Sequence, residues 1–268
     1  MKTNLITGIL AIASLLFTSC LEQETTITVN KDGSGTITEE TVFNKDVVDM
    51  MDMAAQGAGG QNGAQENPIQ ELVNKEKAAA KAAQYGEGVK LVSVEPLKRN
   101  GGKGAIAKYS FDDINKININ PGSALADMGN KGAEVKKGAD IKINYADGIL
   151  TLTMPDPDPE DAKKAQEVEM PDENENPQAA MAMQMMRGMK IKTKLVFPSG
   201  IKKTNATHRD GNAIVLMAMD FGKIMDNPDG LKSLKKIDFK DRVAASEQLK
   251  GLEGAQIETK KEVTVIVK

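Results

Sequence analysis

Cys20 carries the most reactive side chain in this sequence, and its setting narrows what the thiol does. It is the sole cysteine among 268 residues, so no intramolecular disulfide forms. As a catalytic nucleophile it would need a base. The one histidine, His208, lies far along the chain in Thr207-His208-Arg209-Asp210, a polar stretch approaching an Asp-Gly turn, and reads as a surface residue. No Gly-x-Ser-x-Gly elbow, phosphate-cradling loop, dinucleotide fingerprint or His/Cys zinc spacing occurs. The 38 Asp and Glu supply many carboxylate pairs of the kind used in glycoside hydrolysis, whose separation only a fold decides. No catalytic residue and no cofactor is assigned, and the chain reads as non-enzymatic.

Three stretches carry donor types that suit metals. Asn30, Asp32 and Ser34 alternate before Gly35, but a calcium loop starting at Asn30 needs a bidentate Glu where Thr41 stands. A glycine-dependent turn is preferred there. Met181, Met183, Met185, Met186 and Met189 present thioethers, which are soft ligands for Cu(I); Met also pads loosely packed helices. Asp156, Asp158, Glu160 and Asp161 could gather a divalent cation, although the prolines between them stiffen the backbone against wrapping an ion. No metal site is assigned.

The elements that must position Cys20 begin with the residues before it. Met1-Lys2-Thr3-Asn4 is a positive head, and Leu5 to Phe17 is apolar but for Thr7, Gly8 and Ser14. As a helix that run spans roughly 20 Å, short of the roughly 30 Å hydrocarbon core, which suits a translocation signal better than a permanent span. Leu15-Leu16-Phe17-Thr18-Ser19-Cys20 resembles the lipobox of bacterial lipoproteins, with Phe17 in place of the usual aliphatic residue. The resemblance implies that 1–19 is a signal peptide, cut between Ser19 and Cys20, and that the Cys20 thiol accepts diacylglyceryl. At about 0.8 kcal/mol per buried CH2, several acyl chains hold firmly where one would not. Leu21, rather than Asp, follows the cysteine and by analogy favours the outer membrane over the inner.

Removing residues 1–19 from the 268 leaves 249, and 20–268 reads as one extracytoplasmic domain. Apolar residues make up 40% of the chain, enough for a real core. Basic and acidic residues number 35 and 38, with no Trp, three Tyr and six Phe. That balance lacks the basic patch and stacking rings that nucleic acid requires.

Alternation in Glu24 to Asn30 and Thr36 to Phe43 around Asp32-Gly33-Ser34-Gly35 predicts a β-hairpin. A helical insertion over about 44–86 follows, with Asn44 as a cap, one helix near Val47 to Ala55 and a second over Ile69 to Ala83. Strands are expected at Val89 to Val94 and Gly104 to Phe111, and a hairpin at Ile141 to Tyr145 and Ile149 to Met154 about Asp147-Gly148. Residues 155–177 hold five prolines and nine acids in 23 residues and read as a flexible acidic loop. Beyond it come a Met-rich helix near Ala179 to Met189, strands at Lys190 to Phe197, Lys203 to Ala206 and Asn212 to Met217, short helices near Phe221 to Met225 and Pro228 to Leu234, and a closing strand at Val263 to Val267. The fold class is α+β: a curved, largely antiparallel sheet with β-hairpins, packed by a few helices.

A cysteine followed almost at once by a hairpin with a DGSG turn, then Leu195-Val196-Phe197-Pro198-Ser199-Gly200, Thr204-Asn205-Ala206 and Asp210-Gly211-Asn212, resembles the LppM-domain group of bacterial lipoproteins. The resemblance covers the two ends of the mature chain; the 155–177 insertion and the lack of a C-terminal transmembrane helix depart from it. It implies a membrane-tethered α+β domain associated with envelope lipids. The expected partners are the membrane, through lipid on Cys20, and a lipid or other apolar ligand held over the sheet. The alternative is a structural component contacting an envelope protein.

Overall fold

A computed structural model describes residues 20–57, 68–121, 123, 140–156, 177–237 and 241–268. The first hairpin joins β1 (Leu21–Val29) to β2 (Gly35–Phe43). Its turn closes through Asn30 N–H to Ser34 O at 2.8 Å and Gly33 N–H to Asn30 O at 3.0 Å. Gly33 takes φ +86°, a left-handed conformation that glycine adopts without cost. Asp32 Oδ1 accepts from Ser34 N at 3.0 Å and Ser34 Oγ at 2.7 Å, so the donor-like trio is tied up in holding the turn.

The remaining strands of the large sheet are β3 (Lys90–Arg99), β4 (Gly102–Phe111), β7 (Met189–Val196), β9 (Arg209–Asp210), β10 (Ala213–Asp220) and β11 (Ala255–Ile257). Their order is β11-β10-β7-β1-β2-β4-β3, with β9 on β10. Pairing is antiparallel except between β1 and β7, which run parallel from Leu21 beside Met189 to Thr28 beside Val196. A smaller sheet, β5-β6-β12-β8, comprises β5 (Lys142–Ala146), β6 (Ile149–Thr153), β8 (Ile201–Thr204) and β12 (Glu262–Val267). Asp147 and Gly148 take φ 51° and 75°, the positive pair a two-residue hairpin turn demands. The fold is therefore mixed α+β and mostly antiparallel, with the strands divided between two sheets.

One face of the large sheet packs on the small one. Ile27, Ile37, Tyr109, Leu195, Phe197 and Ile214 meet Leu150, Leu152, Val263 and Val265 in a shared core. A second core gathers Ile191, Met217 and Met219 at the other end of β7 and β10 beneath three helices, α5 (Phe221–Asp226), α6 (Gly230–Lys236) and α7 (Arg242–Lys250).

Helix α1 (Lys45–Gly57) starts where expected, with Asn44 Oδ1 accepting from Val47 N at 2.9 Å. The single helix expected over 69–83 is instead two, α2 (Pro68–Leu72) and α3 (Lys75–Ala82). Asn74 divides them: its backbone is extended and its Oδ1 accepts from Glu76 N at 2.9 Å and Lys77 N at 3.1 Å, so it caps a new helix. Strand β3 runs on past Val94 through Pro96; at the edge of the sheet a proline costs no ladder bond on its open side. The Met-rich stretch forms α4 (Pro177–Arg187). Helix α7 and strand β11 are not among the elements that the sequence predicts. Most of the stretch 155–177 expected to be a flexible acidic loop, residues 157–176, lies outside the described residues; at its near end Asp156 pairs with Arg242 at 3.7 Å and with Lys261.

Candidate functional site

Cys20 abuts the sheet directly, since β1 begins at the next residue. Its carbonyl accepts from Asn44 N at 3.0 Å, and Leu21 N donates to Gly188 O at 2.9 Å. Its Sγ lies 3.8 Å from Gln184 O. A Cβ on Gly188 would stand 2.4 Å from both the Cys20 nitrogen and Sγ, so the glycine makes a notch for this residue. Burial, and secondarily the Asp46 charge, push the thiol above its ordinary range, which leaves it a poor thiolate nucleophile. Ser19 lies outside the described residues.

The face of the large sheet turned away from the small one carries charge. Alternation puts Glu22 and Glu24 of β1, Glu40 of β2, Lys190, Lys192 and Lys194 of β7 and Asp220 of β10 on this side. A hollow of about 660 Å³ opens beside them, and its lining runs past the β11 edge to α7 and the turn after it. It sits at the Cys20 end of the sheet: Glu22, Val42, Lys190 and Asp220, which line it, occupy the strand positions nearest Leu21. Apolar contributions come from Val42, Ala218, Leu249 and Leu252. The lining is thus more charged than the Ile, Val and Met cavity that an apolar ligand alone would call for.

Ion pairs order this surface. Arg99 reaches Glu22 at 3.4 Å and also bonds Glu40. Lys194 holds Glu24 at 2.6 Å, and Lys190 lies 3.5 Å from Asp220. Burial raises the Glu24 pKa, but the Lys194 bond and charge, the Thr26 bond and the Lys192 charge outweigh it and leave the carboxyl below its ordinary value. His208 is half-buried at the rim, its carbonyl accepting from Val215 N at 2.8 Å. Buried Glu258 fixes its loop by accepting from Thr207 N and Oγ1, both at 2.7 Å.

No protein family and no curated protein matches this sequence. Among solved structures the chain is similar to the NMR structure of the folded domain of the Mycobacterium tuberculosis LppM protein. The match has 12% identity over 74% of this chain and 81% of that one, with a TM-score of 0.31. That overlap establishes neither a ligand nor an activity for the present chain.

A second polar cluster lies on the opposite face. Lys81 Nζ of α3 is 2.9 Å from Glu39 Oε1 of β2. Burial, then the Glu39 charge and bond, push Tyr109 up to about 12. The Tyr85 ring packs on Tyr109 at 5.2 Å between centroids. With Tyr109 and Glu39 1% and 8% exposed, this cluster pins α3 to the sheet. Among the described residues no three His, Cys, Asp or Glu side chains converge as a metal site, and no helix is long and apolar enough to cross a membrane.

The sequence singles out Cys20 and not the charged row below it. The signal was present, since Lys190, Lys192 and Lys194 repeat at every second position. It read only as the polar side of an amphipathic strand, because Glu22, Glu24 and Asp220 come beside that row solely through pairing with β1 and β10.

Proposed function

We propose that this chain is a bacterial envelope lipoprotein, cut before Cys20 and anchored by lipid on its thiol, with residues 20–268 forming a non-enzymatic binding module. The module holds a lipid or similar apolar ligand at the membrane surface, on the extracytoplasmic side and at the outer membrane in preference to the inner. The observation that carries the reading is the hollow of about 660 Å³ at the Cys20 end of the large sheet. Its size is that of a small-molecule site. Its lining sets the partly exposed Ala218 and Ile257 beside a charged floor, which suits an amphiphile, whose two parts need both kinds of surface. With β1 beginning at Leu21, an anchor at Cys20 leaves no tether, so the hollow stands within reach of lipid headgroups.

Radioactive palmitate labelling with membrane fractionation tests the anchor. The natural chain is expected in the membrane fraction and labelled, and Cys20→Ala soluble and unlabelled; a labelled, membrane-bound Cys20→Ala chain sinks the reading. Native mass spectrometry of the chain released from its own envelope tests the binding module. A co-purifying lipid supports it, and a stoichiometric protein partner in its place turns the reading toward a structural component.

A further inference from the structure

We infer that Lys192 is an oxyanion-binding point at the floor of the hollow, the place where a phosphate-type group of the ligand sits. The inference rests on the binding-module reading and names the chemistry that module recognises.

The argument comes from how the charges pair. Among the cations lining the hollow, Arg99 bonds Glu22 and Glu40, and Lys190 bonds Asp220. Lys223 lies 3.3 Å from Glu253, and Lys250 lies 2.6 Å from Glu247. Lys192 is the exception: no described carboxylate lies within the 4.0 Å of an ion pair, and its ammonium has no described hydrogen-bond partner. Its neighbours account for this. Glu24, opposite it on β1, has its Oε1 engaged by Lys194 at 2.6 Å and Thr26 at 3.2 Å. On the other side the register partner is Ala218, whose methyl group answers no charge and leaves room. Of the three lysines at alternate positions on this face of β7, the first pairs with Asp220 and the third with Glu24; the middle one closes no ion pair of its own, its charge acting on Glu24 from beyond 4.0 Å.

Half-buried on a central strand and outside any ion pair of 4.0 Å, Lys192 offers three N–H donors to whatever enters. Lysine serves phosphate as a point charge without demanding bidentate geometry. A lipid headgroup and a free phosphate share this chemistry, and the apolar part of the lining distinguishes them, because only the lipid has acyl chains to lay against Ala218 and Ile257.

Isothermal titration calorimetry on the full chain in neutral detergent, with inorganic phosphate and with dihexanoyl phosphatidic acid below its micellar concentration, tests the assignment. Binding is expected to weaken about tenfold or more in Lys192→Gln, in keeping with loss of a charge-assisted contact. It should stay unchanged in Lys202→Gln, an exposed lysine of the other sheet. Thermal unfolding of both variants, expected to match the natural chain, separates a lost contact from a lost fold. Equal affinity for the two probes identifies a free oxyanion as the ligand; tighter binding of the acylated one identifies a headgroup, and either supports the site. Lys192→Gln binding as well as the natural chain, or a natural chain that binds neither probe, overturns it. A labelled, membrane-bound Cys20→Ala chain would overturn the anchor and leave the Lys192 result standing.

Discussion

At the scale of single residues, two positions carry consequences that their side-chain types do not announce. Gly188 sits against Cys20 so closely that an added Cβ would lie 2.4 Å from its nitrogen and Sγ. Gly188→Val must push the start of β1 away from β7, and forced overpacking of this kind costs about 1–3 kcal/mol; a drop in the urea midpoint of that size is expected, and an unchanged midpoint refutes the notch. Tyr109 is the second. Its folded pKa of about 12 lies above the ordinary 10.0, so the folded state holds the phenolic proton more tightly than the unfolded chain does. Its contribution to stability is full below pH 10 and is lost as pH rises toward 12. Alkaline titration followed by tyrosinate absorbance should show Tyr109 ionising late, together with loss of structure. Glu39→Gln, by removing a nearby negative charge, should bring that step to lower pH. If Tyr109 ionised at its ordinary value in the natural chain, the buried cluster would not be as described.

At the scale of elements, local chemistry decided where chains start and stop. Asn74 ends one helix and begins another through two bonds to its side chain. Asn74→Ala should destabilise the domain by about 1 kcal/mol, the usual worth of an N-cap, seen as a lower thermal midpoint. Between β2 and β4 the backbones approach so closely at Gly104 that a Cβ would stand 1.8 Å from Thr41 O. Gly104→Ala is expected to cost more than the cap, on the order of 3 kcal/mol, with hydrogen exchange rising across β2 and β4 first. Hairpins at Asp32-Gly33 and Asp147-Gly148 were legible because turn and alternation are both local signals. Helix α7 was not, since only Ala245 and Leu249 of its residues are buried, too few to stand out as a period.

At the scale of the whole molecule, the chain's last strand is a central one. In the order β5-β6-β12-β8, β12 pairs on both edges and buries Val263 and Val265 completely. Deleting 262–268 leaves β8 without a partner and β6 paired on one edge only, with β5, and opens the core shared by the two sheets. The expected result is a chain that binds a hydrophobic dye and melts without a cooperative transition. A deletion that still melted sharply would show that the large sheet holds its core unaided. The β1–β7 pair makes the same point from the other end. The parallel partner of the first strand arrives only at Met189, so the centre of the large sheet closes late in the chain, and non-local pairing of this sort folds slowly.

Sequence by itself determined the features that neighbouring residues settle: one cysteine at the end of an apolar run, strands that alternate around Asp-Gly turns, a capped helix at Asn44, and an α+β composition without an aromatic or basic surface. Those follow from steric and hydrogen-bonding preferences acting over a few residues. Tertiary structure decided which strands lie side by side, and with that every property of the hollow. Lys190, Lys192 and Lys194 are equivalent along β7; they differ only because Asp220 comes beside the first and Glu24 bonds the third across the sheet. Charge pairing depends on distances between residues far apart in the chain, and no local pattern encodes them.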